Sequence, residues 1–193
     1  MIRSFLALEL PDPFRDEIER VSGLLRRSGA DVRWVRPESV HLTLKFLGDI
    51  PEEEVRPILE AVGGAVAGFG PLDLESRGLG VFPSPRQPRV VWIGLGGDLD
   101  GLAGLHRLVE KAAEGRGFPP ENRRFQPHLT IGRVRSGRGR EALVEEIGRQ
   151  APRVLHFTAR EVVLFKSDLK PTGAVYTALG RMPLGGGDAE EGK

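Results

Sequence analysis

The chain of 193 residues contains no cysteine. This absence excludes disulfide bonds, a thiolate nucleophile and cysteine-ligated metal, and it suits a reducing compartment. Long apolar runs are missing too: none approaches the length of a membrane span, and the first one ends at Glu9, too early for the hydrophobic region of a signal peptide. We therefore expect a cytoplasmic protein with no membrane contact.

An excess of either charge is also lacking. The chain has 28 lysines and arginines against 27 aspartates and glutamates, a formal net charge of +1 at pH 7. A chain so balanced has no overall field that attracts nucleic acid, so affinity for phosphate groups must come from local clusters of arginine. Because no segment indicates oligomerisation, we expect a monomer.

The pattern of apolar residues predicts an α+β fold. Four segments with apolar residues at helical spacing alternate with strand-like segments, and some neighbouring strands are joined by hairpin-like turns. Such neighbours favour antiparallel sheets over one doubly wound parallel sheet. We expect residues 1–182 to form a single domain of two intertwined lobes. Residues 183–193 lack apolar periodicity, which predicts a disordered tail.

A short motif occurs twice in this pattern. The sequence HLTL begins at His41, and HLTI begins at His128, 87 residues later and close to half the chain length. Successive side chains of a strand point to opposite faces, so the histidine and threonine of each motif share one face while the aliphatic residues share the other. Two lobes related by a pseudo-twofold axis, each an antiparallel sheet with helices outside, would bring both histidine faces into one central cleft.

The repeat exceeds what chance produces. Four histidines and five threonines in this chain predict about 0.1 H-x-T matches, and three are present. The third, His156 to Thr158, lacks the aliphatic fourth residue and follows the second by only 28 positions, too few for another lobe. We therefore do not assign it to the site. The remaining histidine, His106, lies in a predicted helix, where a structural role is expected.

Two histidines on facing strands can supply an acid and a base together. Their unperturbed pKa is about 6.5, so at neutral pH one can be charged while the other is neutral. They could act on opposite sides of one phosphorus atom, while threonine hydroxyls donate to the non-bridging oxygens. This chemistry needs no metal and no cofactor. Sequence motifs of zinc sites, serine hydrolases and ATP-binding phosphate loops are absent.

Four segments resemble the bacterial and archaeal RNA 2′,3′-cyclic phosphodiesterases, also called 2′-5′ RNA ligases, of the two-histidine phosphoesterase superfamily. They are RWVRPESVHLTLKFLGD, FPSPRQPRVVWIGL, FQPHLTIGR and LFKSDLKPTGAVYTAL. The resemblance runs from the first strand to about Leu179, and the doubled H-x-T element is its specific part. It implies a two-lobed fold with a central cleft and metal-independent hydrolysis of RNA 2′,3′-cyclic phosphates to 2′-phosphate ends. It also implies a reversible, ATP-independent 2′-5′ RNA ligation.

The same resemblance implies roles for the four motif residues. His41 would give a proton to the departing 3′ oxygen, and His128 would take one from water. Thr43 and Thr130 would hold the phosphate. Because the two motifs are nearly interchangeable, the sequence leaves the direction of proton transfer open.

Further substrate contacts are expected from Arg133 and Lys45. Lys45 has the strand parity of His41 and Thr43. Arg133 falls on the wrong face unless a bulge at Gly132 shifts the strand.

Two aromatic residues and two other functions remain open. Phe46 and Phe125 could stack on a base, with core packing as the alternative for both. The protein could instead be a non-catalytic module that binds RNA ends. It could also perform the same chemistry on a small cyclic nucleotide or a 2′-5′ oligonucleotide, a choice that depends on the size of the cleft.

Overall fold

The computed structural model describes residues 1–171 and 173–185. Its strands are β1 (Ile2–Leu8), β2 (Val32–Trp34), β3 (Leu42–Ile50), β4 (Leu72–Phe82), β5 (Val90–Gly97), β6 (His128–Val134), β7 (His156–Ala159), β8 (Glu161–Lys170) and β9 (Gly173–Pro183). Its α-helices are α1 (Asp12–Arg26), α2 (Val55–Val66), α3 (Leu99–Glu114) and α4 (Arg140–Arg149). Short 3-10 turns occupy Pro37–Ser39 and Glu52–Glu54.

The strands form two antiparallel sheets, which confirms the predicted α+β class. Sheet 1 has the order β3-β1-β8-β9, and sheet 2 has the order β2-β6-β5-β4-β7. The first motif lies at the start of β3, and the second lies in β6. Although β2 and β3 are consecutive in the chain, they belong to different sheets, and the chain crosses between the sheets at the turn Pro37–Ser39.

Helices α1 and α3 each pack against the motif strand that follows the other helix in the chain. Helix α1 precedes β3 in the chain but contacts β6, whereas α3 precedes β6 and contacts β3. Helix α2 packs against α3 and β9, and α4 packs against α1 and β4. Each motif strand is therefore supported by the helix that leads into the other motif strand, an arrangement that agrees with intertwined lobes.

The aliphatic residues of both motifs face one continuous apolar core. Leu42 and Leu44 of the first motif and Leu129 and Ile131 of the second are all at most 3% exposed, and all four belong to this core. The helices contribute residues at helical spacing. In α1 these residues are Phe14, Ile18, Val21 and Leu25. The alternation read from the motifs therefore holds for their aliphatic positions, and it leaves the histidines and threonines on the other face.

The C-terminal strand extends slightly beyond the expected end of the domain. Strand β9 ends at Pro183, and Leu184 is 7% exposed within the apolar core. The expected start of a disordered tail at residue 183 is therefore two residues too early, because Leu184 is apolar and finds a place in the core. Residues 186–193 of that expected tail lie outside the described residues. Among the described helices, none has both the length and the apolar composition needed to cross a bilayer.

Candidate active site

His41 and Thr43 lie on the face of sheet 1 that is turned away from the main core. This face carries a second apolar cluster, formed by Phe5, Ala7, Val163 and Phe165, with Tyr176 packed against it. Thr43 pairs with Ala7 across β1 and β3. The ring of His41 stacks on Phe5 with a centroid distance of 4.5 Å and meets the edge of Tyr176 at 5.1 Å.

His128 and Thr130 have a matching position on sheet 2. Thr130 pairs with Trp92 of β5. The His128 ring meets the ring of Phe82 edge-on at 5.0 Å, close to the geometry between His41 and its own edge-on neighbour in sheet 1. Each histidine is thus oriented by aromatic packing on its own sheet.

The strands that carry the two motifs are neighbours in space. Strands β3 and β6 contact each other although they belong to different sheets. Arg133 at the end of β6 and Arg3 of β1 both lie close enough to Tyr176 of sheet 1 to act on its pKa. These contacts are consistent with one central cleft lined by both motifs, which stays a prediction.

Both histidines make the same hydrogen bond to the backbone. Nδ1 of His41 lies 3.0 Å from the carbonyl oxygen of Ser39, and Nδ1 of His128 lies 2.7 Å from that of Gln126. A carbonyl oxygen only accepts, so Nδ1 of each ring carries the proton. Nε2 is thereby left to exchange a proton with a bound molecule, as general acid–base catalysis requires.

The electrostatic environment of His41 favours its neutral form. Burial lowers the pKa of His41 to about 4, and the hydrogen bond to Ser39 opposes this shift only in part. The imidazole is therefore uncharged at pH 7 when the cleft holds no ligand. A negative charge placed beside it would favour protonation.

Comparison with known proteins agrees with this geometry. The family model described as LigT like Phosphoesterase matches residues 8–92 and 97–176. An RNA 2′,3′-cyclic phosphodiesterase of Methanothermobacter thermautotrophicus is 40% identical over 177 residues, which cover 91% of this chain and 95% of that protein. The chain belongs to the LigT-like phosphoesterase family.

Two solved structures show how closely the fold follows this family. TT0787 of Thermus thermophilus has a TM-score of 0.76 and 28% identity, and the match covers 95% of this chain and 98% of that one. LigT of E. coli complexed with 3′-AMP has a TM-score of 0.74 and 25% identity, with 95% and 98% covered. The fold of a LigT-like phosphoesterase therefore extends over nearly the whole chain.

Arg133 of this LigT-like phosphoesterase faces the cleft because β6 is bulged. Thr130 and Gly132 are two residues apart in β6 but pair with Trp92 and Val91, which are consecutive in β5. The extra residue shifts the alternation by one position and returns Arg133 to the face of Thr130. The sequence made a contact from Arg133 conditional on a bulge at Gly132, and the extra residue is the neighbouring Ile131.

Lys45 is the opposite case, because a bulge removes it from the cleft. The register between β1 and β3 shifts between Thr43 and Lys45, so strict alternation fails there. The side chain of Lys45 is only 2% exposed, and its Nζ donates to Oε2 of Glu110 at 2.9 Å and to the carbonyl of Pro119 at 2.6 Å. The expectation that Lys45 shares a face with the first motif and contacts substrate is therefore wrong.

Sequence reasoning missed three cleft residues, Tyr176, Arg3 and Arg36. Burial raises the pKa of Tyr176, and the nearby charges of Arg133, Arg3 and Arg36 offset part of that shift. The phenol therefore keeps its proton at neutral pH and remains a hydrogen-bond donor. Arg3 and Phe5 are two residues apart in β1, so the alternation of a strand could have predicted that Arg3 lies on the same face as Phe5. No local signal shows that the strand of Tyr176 comes to lie beside the first motif.

The other histidines and aromatic candidates lie in different surroundings. His156 is in β7, the edge strand of sheet 2, three strand spacings or roughly 14 Å from β6, and its Nδ1 lies 3.5 Å from Oε2 of Glu75. His106 stacks on Phe125 at 4.0 Å, which explains Phe125 by packing. Phe46 is 54% exposed on the cleft side. No three potential metal ligands cluster anywhere in the described part of the chain.

Proposed function

We propose that this protein hydrolyses RNA 2′,3′-cyclic phosphate ends to 2′-phosphate ends, with His41 and His128 as the acid–base pair. The observation that carries the proposal is the matched geometry of the two histidines, each with Nδ1 held by a backbone carbonyl and with no hydrogen bond from Nε2 to the described residues. Relatives named RNA 2′,3′-cyclic phosphodiesterase and a LigT complexed with 3′-AMP support a substrate of this class.

The reaction proceeds as one displacement at phosphorus. Nε2 of His128 accepts a proton from water as its oxygen attacks the phosphorus atom. The bond from phosphorus to O3′ breaks, and Nε2 of His41 donates a proton to the departing oxygen. The hydroxyls of Thr43 and Thr130 and the guanidinium of Arg133 stabilise the negative charge on the non-bridging oxygens. The product is a 2′-phosphomonoester with a free 3′-hydroxyl.

The donor role of His41 requires proton uptake with the substrate. In the free protein, burial holds the pKa of His41 near 4, so its imidazole is neutral at pH 7. The anionic phosphate, bound beside Nε2, favours the charged form. Because the ring of His41 is a weak base, it readily gives up its added proton to the departing oxygen once the bond to phosphorus breaks.

The same groups could join RNA ends without ATP. If the 5′-hydroxyl of a second RNA replaces water, the displacement leaves a 2′-5′ phosphodiester, and opening of the strained ring supplies the driving force. This ligation remains a prediction. A module that only binds RNA ends is less consistent with the cleft, because binding alone does not require two matched histidines with free Nε2 atoms.

The proposed hydrolysis is tested with a short RNA that ends in a 2′,3′-cyclic phosphate, incubated in EDTA. Wild type should give the 2′-phosphate, identified by mass and by phosphate position. His41→Ala and His128→Ala should each lose at least ~10²-fold in rate. His156→Ala is the matched control, because it removes the histidine of the third H-x-T match, and it should retain full activity. Binding of the RNA without product would favour the non-catalytic module instead.

We also propose that the protein acts as a cytoplasmic monomer. The balanced net charge and the large apolar core that spans both sheets support a self-contained unit. Light scattering coupled to size-exclusion chromatography should give the mass of one chain, and a mass of two chains would contradict this proposal.

A further inference from the structure

Two arginines lie directly opposite each other at one edge of sheet 2, beside the candidate active site. Strand β2 is an edge strand of this sheet, and its Arg33 pairs with Arg133 of β6. Residues directly opposite in antiparallel strands extend their side chains from the same face of the sheet. Because the bulge in β6 turns Arg133 toward the cleft, Arg33 faces the cleft as well.

The packing of the neighbouring residues gives the same orientation independently. Val32 and Trp34, on either side of Arg33, both pack against the main apolar core, and so does Val134, which follows Arg133. Since successive side chains of a strand point to opposite faces, both guanidinium groups are directed away from that core. Both arginines are exposed.

The two positive charges have no carboxylate partner within the described residues. Neither Arg33 nor Arg133 forms a salt bridge there, although many other arginines of the chain do. Asp31, two residues before Arg33, accepts a hydrogen bond from the hydroxyl of Ser136 at 2.8 Å instead. Like charges directly opposite destabilise a sheet, so a bound anion would remove a repulsion that the free protein retains.

The position of Arg33 relative to Arg133 indicates which anion this is. Arg133 is assigned to the cyclic phosphate, and Arg33 lies one strand farther out, about 4.8 Å away in the plane of the sheet. No described strand continues sheet 2 beyond β2, so a bound chain can leave the cleft on this side. In RNA, the first anion after the cyclic end is the phosphodiester on the 5′ side of the terminal nucleotide. The planar guanidinium of arginine matches the oxygens of such a group.

We propose that Arg33 binds the phosphodiester that joins the terminal nucleotide to the one before it. The inference rests on the proposed function for its substrate. A contact to phosphate positions the chain but carries no sequence information. Arg33 therefore favours RNA chains over cyclic mononucleotides through the charge of that linkage, whatever the bases are.

The test compares kcat/KM for three substrates that differ only in this linkage. They are adenosine 2′,3′-cyclic phosphate, the dinucleotide ApA ending in the same group, and that dinucleotide with an uncharged methylphosphonate linkage. The loss caused by Arg33→Gln should be about tenfold larger for ApA than for the other two, as expected for one charge-assisted hydrogen bond. Arg133→Gln should reduce all three rates by a similar factor, because the cyclic phosphate is common to them.

Arg107→Gln is the control for the change in net charge. Arg107 is also exposed, but it lies on α3, whose buried residues belong to the main core, and its substitution should leave the ratio of the three rates unchanged. Urea denaturation should show that Arg33→Gln is at least as stable as wild type, because a like-charge repulsion is removed. Equal losses for ApA and its methylphosphonate analogue, or a less stable Arg33→Gln protein, would overturn the inference.

A binding measurement separates failure of this inference from failure of the proposed function. Calorimetric titration with ApA ending in a 2′-phosphate needs no turnover. Arg33→Gln should bind it about tenfold more weakly than wild type. The salt dependence of log Kd should become shallower by about 0.7, the value for one phosphate contact with a single strand. If wild type hydrolyses no substrate, the proposed function fails, yet these two changes would still support the contact. Unchanged affinity in Arg33→Gln would reject it, whatever the enzyme's activity.

Discussion

Lys45 Nζ lies 2.9 Å from Oε2 of Glu110, and this ion pair joins β3 to α3 away from solvent. Lys45 directly follows the first motif, and the backbone of Pro119, which it also contacts, belongs to the segment that leads to the second motif. The pair therefore links the supports of both histidines. A lysine that strand parity places in the cleft acts instead beneath it.

Breaking this pair should destabilise the fold strongly. Lys45→Met leaves the carboxylate of Glu110 buried without its partner, and we expect a loss of about 3–5 kcal/mol in the free energy of unfolding. Lys166→Met is the matched control, because its pair with Asp168 is exposed and should contribute less than about 1 kcal/mol. Urea denaturation measures both. The double variant Lys45→Met with Glu110→Met should recover part of the loss, and equal small effects in both single variants would contradict the role of the pair.

Burial of His41 makes stability depend on pH. Its pKa is about 4 in the folded protein and about 6.5 when unfolded, so the unfolded chain binds more protons between these values. The contribution is fully present above pH 6.5 and is lost as the pH falls toward 4, by roughly 3 kcal/mol. Urea denaturation at pH 7 and pH 4.5 should therefore show a larger loss in wild type than in His41→Gln. Parallel losses in the two proteins would show that another group dominates.

The direction of proton transfer should be visible in the choice of leaving group. In a cyclic substrate with sulfur in place of the 3′ oxygen, the departing thiolate needs no proton. The loss caused by His41→Ala should then shrink to less than about tenfold, because its role as acid has become dispensable. The loss caused by His128→Ala should persist, since water must still be deprotonated. Rescue of His128→Ala instead would reverse the assignment of acid and base.

Arg133 should contribute to binding of the phosphate. Arg133→Ala should lower kcat/KM for RNA about tenfold, as expected for loss of one charge-assisted hydrogen bond. The salt dependence of log(kcat/KM) should also become shallower by about 0.7, the value for one phosphate contact with a single strand. Arg56→Ala is the control, because it makes the same change in net charge at a side chain of α2 that is 89% exposed. It should alter neither quantity. Similar effects of both substitutions would indicate a general charge effect.

Local patterns in the sequence were sufficient to predict on which strand face each motif residue lies. A strand exposes alternate residues on each face whatever surrounds it, so the threonines and the aliphatic residues of HLTL and HLTI were placed correctly. The same rule does not predict a bulge, and one extra residue in a strand moves every later side chain to the opposite face. It therefore failed for Lys45, and Arg133 faces the cleft only because of the bulge at Ile131, next to the Gly132 that the sequence indicated.

The sequence by itself thus determined the α+β class, the two matched motifs and the acid–base chemistry that paired histidines allow. The tertiary structure decided what depends on distant segments. Strand order placed His156 in an edge strand away from β6, although its local pattern matches the motifs. Packing lowered the pKa of His41 and brought Tyr176 beside it. The burial of a side chain and the charges around it depend on residues that are far apart in the chain, so no local sequence pattern predicts them.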